Sequence, residues 1–110
     1  MSLLDYSLCD RTVTVYRQEN GRLQRLVVDG CYYAWEDALD MGRFDRKFLL
    51  VMPGCCQRVF VGDRIFDGVG PEAVEWKDFI PVKVAGLSEV AYTRPWFYRG
   101  VMQHLEAGRK

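Results

Sequence analysis

Thr12-Val-Thr-Val-Tyr-Arg17, the pair Asn20-Gly21 and Leu23-Gln-Arg-Leu-Val-Val28 together decide the fold. The first run alternates β-branched and aromatic residues with a period of two, the pattern of a strand with one face buried. Val13 and Val15 then share a face. Asn-Gly is the residue pair best suited to a two-residue hairpin turn, because both central residues need positive φ. An N-terminal β-hairpin is therefore predicted. Beyond it, Asp29-Gly30 reads as a turn or a bulge, and Cys31-Tyr-Tyr-Ala-Trp35 as a continued strand.

The same signals run through the rest of the chain. Glu36 to Asp45 is polar, with Met41-Gly42 inside it, and reads as a long loop. Lys47-Phe-Leu-Leu-Val-Met52 is an apolar run too short for a typical helix, so it reads as a central strand buried on both faces. Pro53-Gly54 ends it. Arg58 to Val61 and Arg64 to Phe66 read as short strands separated by a turn at Gly62-Asp63. Glu75 to Phe79 allows one helical turn before Pro81. Pro81 to Leu87 alternates and extends through Ser88 to Tyr92, Thr93-Arg-Pro95 reads as a turn, and Phe97 to Glu106 as the last strand. Six or seven short strands with almost no helix signal predict an all-β, mainly antiparallel fold, a small sandwich or barrel.

The chain has 110 residues, with 15 basic and 15 acidic side chains. That length suits one β-rich domain spanning 1–110, with 1–10 as an N-terminal arm. A domain of this size buries roughly two-thirds of its unfolded-chain surface and folds without a disulfide or metal. Zero formal charge argues against generic or sequence-specific nucleic-acid binding, which needs a basic surplus. It also removes net repulsion as a guard against association. No run of about eighteen apolar residues is present, so no membrane helix is expected. Met1-Ser-Leu-Leu-Asp5 carries an acid where a signal peptide carries bases. A reducing cytoplasm is therefore expected, with Cys9, Cys31, Cys55 and Cys56 as unbridged thiols. Adjacent Cys55-Cys56 would point to opposite faces of an extended chain, a poor grip for zinc, so no metal site is expected.

Three candidate sites are set aside on their chemistry. Asp67-Gly-Val-Gly-Pro-Glu72 lacks the Lys-Ser/Thr of a phosphate-binding loop, and Pro71 removes a donor where donors are needed; it reads as a turn. His104 is the sole histidine, and no cysteine stands beside a nucleophile-bearing turn, so no catalytic residue is assigned. Asp37, Asp40, Asp45, Asp63 and Asp67 do not form a calcium-loop pattern, and no cofactor is expected. The ring clusters Tyr32-Tyr33, Trp35 and Trp96-Phe-Tyr98 mostly supply core. Neighbouring rings on a strand point to opposite faces, however, so at least one of each set faces outward or into an interface.

The order of these segments resembles a family. Thr12-Val-Thr-Val-Tyr16 is followed by Arg25-Leu-Val-Val-Asp-Gly-Cys-Tyr-Tyr-Ala-Trp35. Leu49-Leu-Val-Met-Pro53 and Gly62-Asp63 come next, then Gly68-Val-Gly-Pro-Glu72, and the chain closes on His104-Leu-Glu-Ala-Gly108. This is similar, over residues 11 to 109, to the small minor capsid and head–tail connector proteins of prophages in Gram-positive bacteria. The resemblance implies a structural protein of the virion, assembled in the host bacterial cytoplasm. It implies portal, capsid or tail proteins as partners, a possible homo-oligomeric ring and no catalysis. The segments Glu36 to Asp45 and Asp67 to Glu72 are the expected contact elements. A small ligand-binding or adaptor β-barrel is the alternative, favoured by a deep apolar cavity. A cysteine-dependent enzyme would show alkylation-sensitive turnover.

On the last strand, His104 and Glu106 are expected to share a face, with Leu105 directed to the core and Glu106 raising the His104 pKa. Leu105→Ala is expected to cost roughly 2–5 kcal/mol, measurable by urea denaturation, because it empties a core position. Loss of an exposed His–Glu pair would cost only about 0–1 kcal/mol.

Overall fold

A computed structural model describes residues 6–40 and 43–109, with side chains described outside 37–46. The chain forms seven antiparallel strands in one sheet, ordered β5-β4-β1-β2-β3-β7-β6, with no α-helix among the described residues. The strands are β1 (Arg11–Glu19), β2 (Arg22–Asp40), β3 (Arg43–Pro53), β4 (Arg64–Asp67), β5 (Leu87–Glu89), β6 (Tyr92–Tyr98) and β7 (Val101–Arg109). The predicted all-β fold is the fold observed.

The first hairpin forms as its sequence dictates. Glu19 pairs with Arg22 across Asn20-Gly21, whose φ values are 52° and 75°. A bulge follows. Arg11 pairs with Cys31 but Val13 with Val28, so Thr12 faces both Asp29 and Gly30. Gly30 sits at φ 73°, and the Thr12 hydroxyl donates to Asp29 Oδ1 at 2.6 Å. One extra residue flips the inward parity of a strand. Val28 is buried before the bulge, and Cys31 and Tyr33 after it. β2 therefore pairs with β1 through its first half and with β3 through its second.

The sheet curls into a half-barrel because its two end strands are nearly continuous. Only Val90 and Ala91 separate β5 from β6. Val90 exchanges backbone hydrogen bonds with Asp63 and Gly62, and the Ala91 N–H donates to the Gly108 carbonyl at 2.8 Å. Inside the curl lie Val13, Val15, Val28, Tyr33, Phe48, Leu50, Met52, Ile65, Val90, Leu105 and Ala107, all buried. Val13 and Val15 share the inner face as predicted, and Leu105 points inward at 1% exposure. Outside β1, a second cluster of Tyr16, Phe79 and Leu87 is covered by Val74, Trp76 and Val84. This is why both faces of β1 are buried.

Five expectations are corrected. Glu36 to Asp45 is not a loop: β2 runs to Asp40 and β3 starts at Arg43. The register sets Glu36 opposite Lys47, Asp37 opposite Arg46 and Asp40 opposite Arg43, and opposite charges across a ladder favour pairing. Met41 and Gly42, inside that stretch, and residues 1–5 of the expected arm lie outside the described residues. β3 is central but buried on one face, since Phe48, Leu50 and Met52 are enclosed while Leu49 is exposed. Arg58 to Val61 is irregular rather than a strand. Pro81 to Gly86 also stays out of the sheet: the amides of Lys83 and Val84 both donate to the Ile80 carbonyl, and the segment folds over β1 instead. Thr93-Arg-Pro95 lies within β6, and the turn comes at Arg99-Gly100, with φ 51° and 78°. The single helical turn at Glu75 does form, with the Phe79 amide donating to the Glu75 carbonyl at 2.9 Å.

Asp63 ties the irregular segment to the sheet. It is 2% exposed and accepts from Arg17 Nε at 2.8 Å, Arg17 Nη2 at 2.6 Å and the Phe60 amide at 2.9 Å. The Arg17 guanidinium also covers the Phe60 ring, 4.4 Å from its centre. A forked, charge-assisted contact of this kind is among the stronger polar interactions a protein makes. Asp63→Ala is expected to destabilise the fold by about 3 kcal/mol in urea denaturation, because it leaves donors without an acceptor in a partly enclosed site.

Candidate docking surface

The β6–β7 hairpin carries rings outward. Trp96, Phe97, Tyr98 and Val101 are 46%, 59%, 42% and 54% exposed. The geometry explains this. The hairpin turns at Arg99-Gly100, and its register shifts between Trp96 and Phe97, which pair with His104 and Met102. Residue 103 is the extra one in β7, and Met102 is the last β7 residue packed against the core. Beyond it Phe97, Tyr98 and Val101 have no core to enter. The expectation that at least one ring of Trp96-Phe-Tyr98 faces outward is met by all three. Of Tyr32-Tyr33, Tyr33 is buried and Tyr32 half-buried.

His104 lies at the base of this hairpin on the outer face of β7. It is buried, at 5% exposure. Trp96 stacks on it with ring centres 5.9 Å apart, and Tyr6 meets it edge-on at 5.6 Å. The Tyr6 hydroxyl and His104 Nδ1 are hydrogen-bonded at 2.9 Å. Burial also raises the Tyr6 pKa, so the phenol stays protonated beside the ring. Glu106, on the same face, accepts a hydrogen bond from the Tyr92 hydroxyl at 3.2 Å.

Two expectations for this strand change. β7 extends past Glu106 to Arg109 and begins at Val101 rather than Phe97. The His104 pKa is lowered, not raised: burial disfavours the imidazolium more than the Glu106 charge favours it. His104 is thus an enclosed packing residue, and truncating it would leave a gap between Tyr6 and Trp96.

The other predicted elements take structural places. The glycine-rich turn is sewn to the hairpin. Thr14 Oγ1 donates to the Gly68 carbonyl and accepts from the Gly70 amide, while Arg25 donates to the Gly70 and Pro71 carbonyls. The Gly68 amide is also taken, by the Thr12 carbonyl. The Gly68 and Gly70 amides are thus spent within the protein. Gly70 is required there, since a Cβ would collide with the Tyr16 side chain. Among the described residues, no group of three or more His, Cys, Asp or Glu stands close enough to hold a metal. A cleft of about 430 Å³ opens beside Arg17, Phe60, Asp63 and Trp76. The Arg17–Asp63 pair is among its lining residues.

Sequence reasoning missed three features. Arg99 occupies a positive-φ position where Asn or Gly is usual, so the second hairpin turn carried only the signal of Gly100. Tyr6 reaches His104 across nearly the whole chain length, which no local pattern reveals. Asp63, read as a turn acid, anchors Arg17. Comparison with protein-family models, with curated proteins and with solved structures gives no match.

The lowered His104 pKa has a definite consequence for stability. Folded and unfolded chains bind protons equally well above the ordinary histidine value of 6.5, where both carry a neutral ring. Below it, the unfolded chain takes up a proton first. The contribution is therefore complete above that value and is lost as pH falls through the depressed folded value. Chemical denaturation from pH 7.5 to 5 should show stability declining in the acid range, and His104→Phe should flatten the decline.

Proposed function

We propose that the chain is a structural virion subunit, of the minor capsid or head–tail connector kind, that works by docking onto neighbouring virion proteins. The observation that carries this reading is the hairpin bearing Trp96, Phe97, Tyr98 and Val101 in solvent. Large rings bury 150–250 Å² each on contact, and buried aromatic anchors dominate the energetics of interfaces. Such a group on one protruding turn suits insertion into a pocket of a partner. The chain's zero net charge agrees, since apolar burial rather than charge would drive the contact. The partners are portal, capsid or tail proteins, or further copies in a ring.

The described chemistry favours assembly over catalysis. The one histidine is closed in by Tyr6 and Trp96. Cys31 is buried, with its thiol pushed up to about 11 by desolvation, which suppresses the nucleophilic thiolate. The order of sequence segments, from Thr12-Val-Thr-Val-Tyr16 to His104-Leu-Glu-Ala-Gly108, supplies the virion context.

The test uses Phe97→Ser with Tyr98→Ser, sparing Trp96 because it packs on His104. The double variant should keep its thermal midpoint yet bind portal, capsid or tail proteins encoded with it, or copies of itself, far more weakly. An anchor worth about 2 kcal/mol corresponds to roughly a 30-fold loss of affinity. A wild-type chain that stays monomeric at high concentration and binds none of those proteins would overturn the proposal.

A further inference from the structure

Cys55 and Cys56 follow the exit of β3, in a bend that fixes where they point. The Gly54 amide donates to the Gln103 carbonyl at 3.0 Å, and Arg58 Nη2 donates to the Pro53 carbonyl at 3.0 Å. Gly54 takes φ 146°. The chain is bent rather than extended here, so the expectation of opposite-facing thiols does not hold. The two Sγ atoms lie 4.0 Å apart, and both residues are exposed.

That spacing has a chemical meaning. A disulfide needs its sulfurs at about 2.05 Å. One atom bound to two thiolates at about 2.3 Å each holds them at about 3.8 Å when tetrahedral and at about 3.5 Å when pyramidal with angles near 100°, both far nearer the observed 4.0 Å than a disulfide is. The pair is thus spaced for a bridging atom and needs little movement to accept one.

We propose that Cys55 and Cys56 form a vicinal dithiol site for a thiophilic centre that bridges both sulfurs, a trivalent organic arsenical being the class that fits. Such an arsenic makes three bonds, one to carbon and two to sulfur, so two thiolates complete it. Zinc wants four ligands, and no third or fourth His, Cys, Asp or Glu joins the pair among the described residues. With an arsenoxide, both S–H bonds are replaced by S–As bonds. The arsenoxide oxygen leaves with the two protons as water, and arsenic stays trivalent, so no oxidant or reductant is consumed. Cys31 cannot compete, being buried with a raised pKa, and Cys9 is half-buried.

Phenylarsine oxide titrated into the full chain, with excess glutathione as a competing monothiol, tests the site. Wild type should bind one equivalent, lose two thiols to a thiol reagent and recover them on adding ethanedithiol. Cys55→Ser and Cys56→Ser, both in an exposed bend, should each weaken capture by about 100-fold or more, since one thiolate loses the advantage of two-point binding. Cys9→Ser and Cys31→Ser should retain it. Capture unchanged in Cys55→Ser or Cys56→Ser, or wild-type capture no tighter than theirs, would overturn the site.

Discussion

A strand of 19 residues cannot stay straight in this molecule, and much of the architecture depends on how β2 bends. At about 3.3 Å per residue it would span roughly 60 Å. The longest dimension of the protein is 44 Å. The bulge opposite Thr12 resolves the conflict. It kinks the strand at Gly30 and flips its inward parity, so that Val28 on one side and Cys31 and Tyr33 on the other all reach the same core. β1 and β3 thereby become partners of one strand in two directions. The curl of the sheet follows, and the run from Leu87 to Tyr98 bridges its ends through Val90-Ala91.

The curled sheet leaves a long irregular connection, residues 54–63, to be held down. Arg17 and Asp63 do this from opposite sides. Arg17 extends from β1 with its charge half out of water, and Asp63 brings the carboxylate in just before β4. The same carboxylate accepts the Phe60 amide, so one acid orders both the turn and its attachment. On the other face, Arg64 lies over the Trp76 ring at 3.7 Å and donates to the Trp76 and Phe79 carbonyls. Two arginines thus pin two irregular segments against the sheet.

The sequence was most legible where local chemistry and tertiary demand agree. Asn20-Gly21 states its turn, and Thr12 to Tyr16 states its strand. Legibility failed where long-range pairing overrode local composition. Glu36 to Asp40 looks like a loop because acids are poor strand formers, yet a basic partner strand with complementary register makes it a ladder. Pro81 to Leu87 alternates like a strand, but only Leu87 joins the sheet; Val84 packs on the outer cluster of β1 and Val82 is exposed. Of the candidate surface, side-chain alternation foretold that at least one ring of Trp96 to Tyr98 faces outward; that all three do depends on the register shift beside Phe97. The enclosure of His104 was hidden, because Tyr6 lies far away in sequence. The facing thiols of Cys55 and Cys56 were also hidden, since they depend on a bend after Gly54.

The edge of the sheet decides how the hairpin would meet a partner. β6 is the last strand in the order, so among the described residues no further strand pairs along its outer side. An open edge invites strand addition from another chain. Pro95 sits in the middle of β6, opposite Leu105, and has no amide to donate. It interrupts any continuous ladder along that edge. Backbone augmentation is thereby discouraged, while the side chains of Phe97, Tyr98 and Val101 stay available at the tip. The same strand that guards against indiscriminate pairing thus presents its rings, and recognition through shape-matched pockets is more selective than pairing along an open edge.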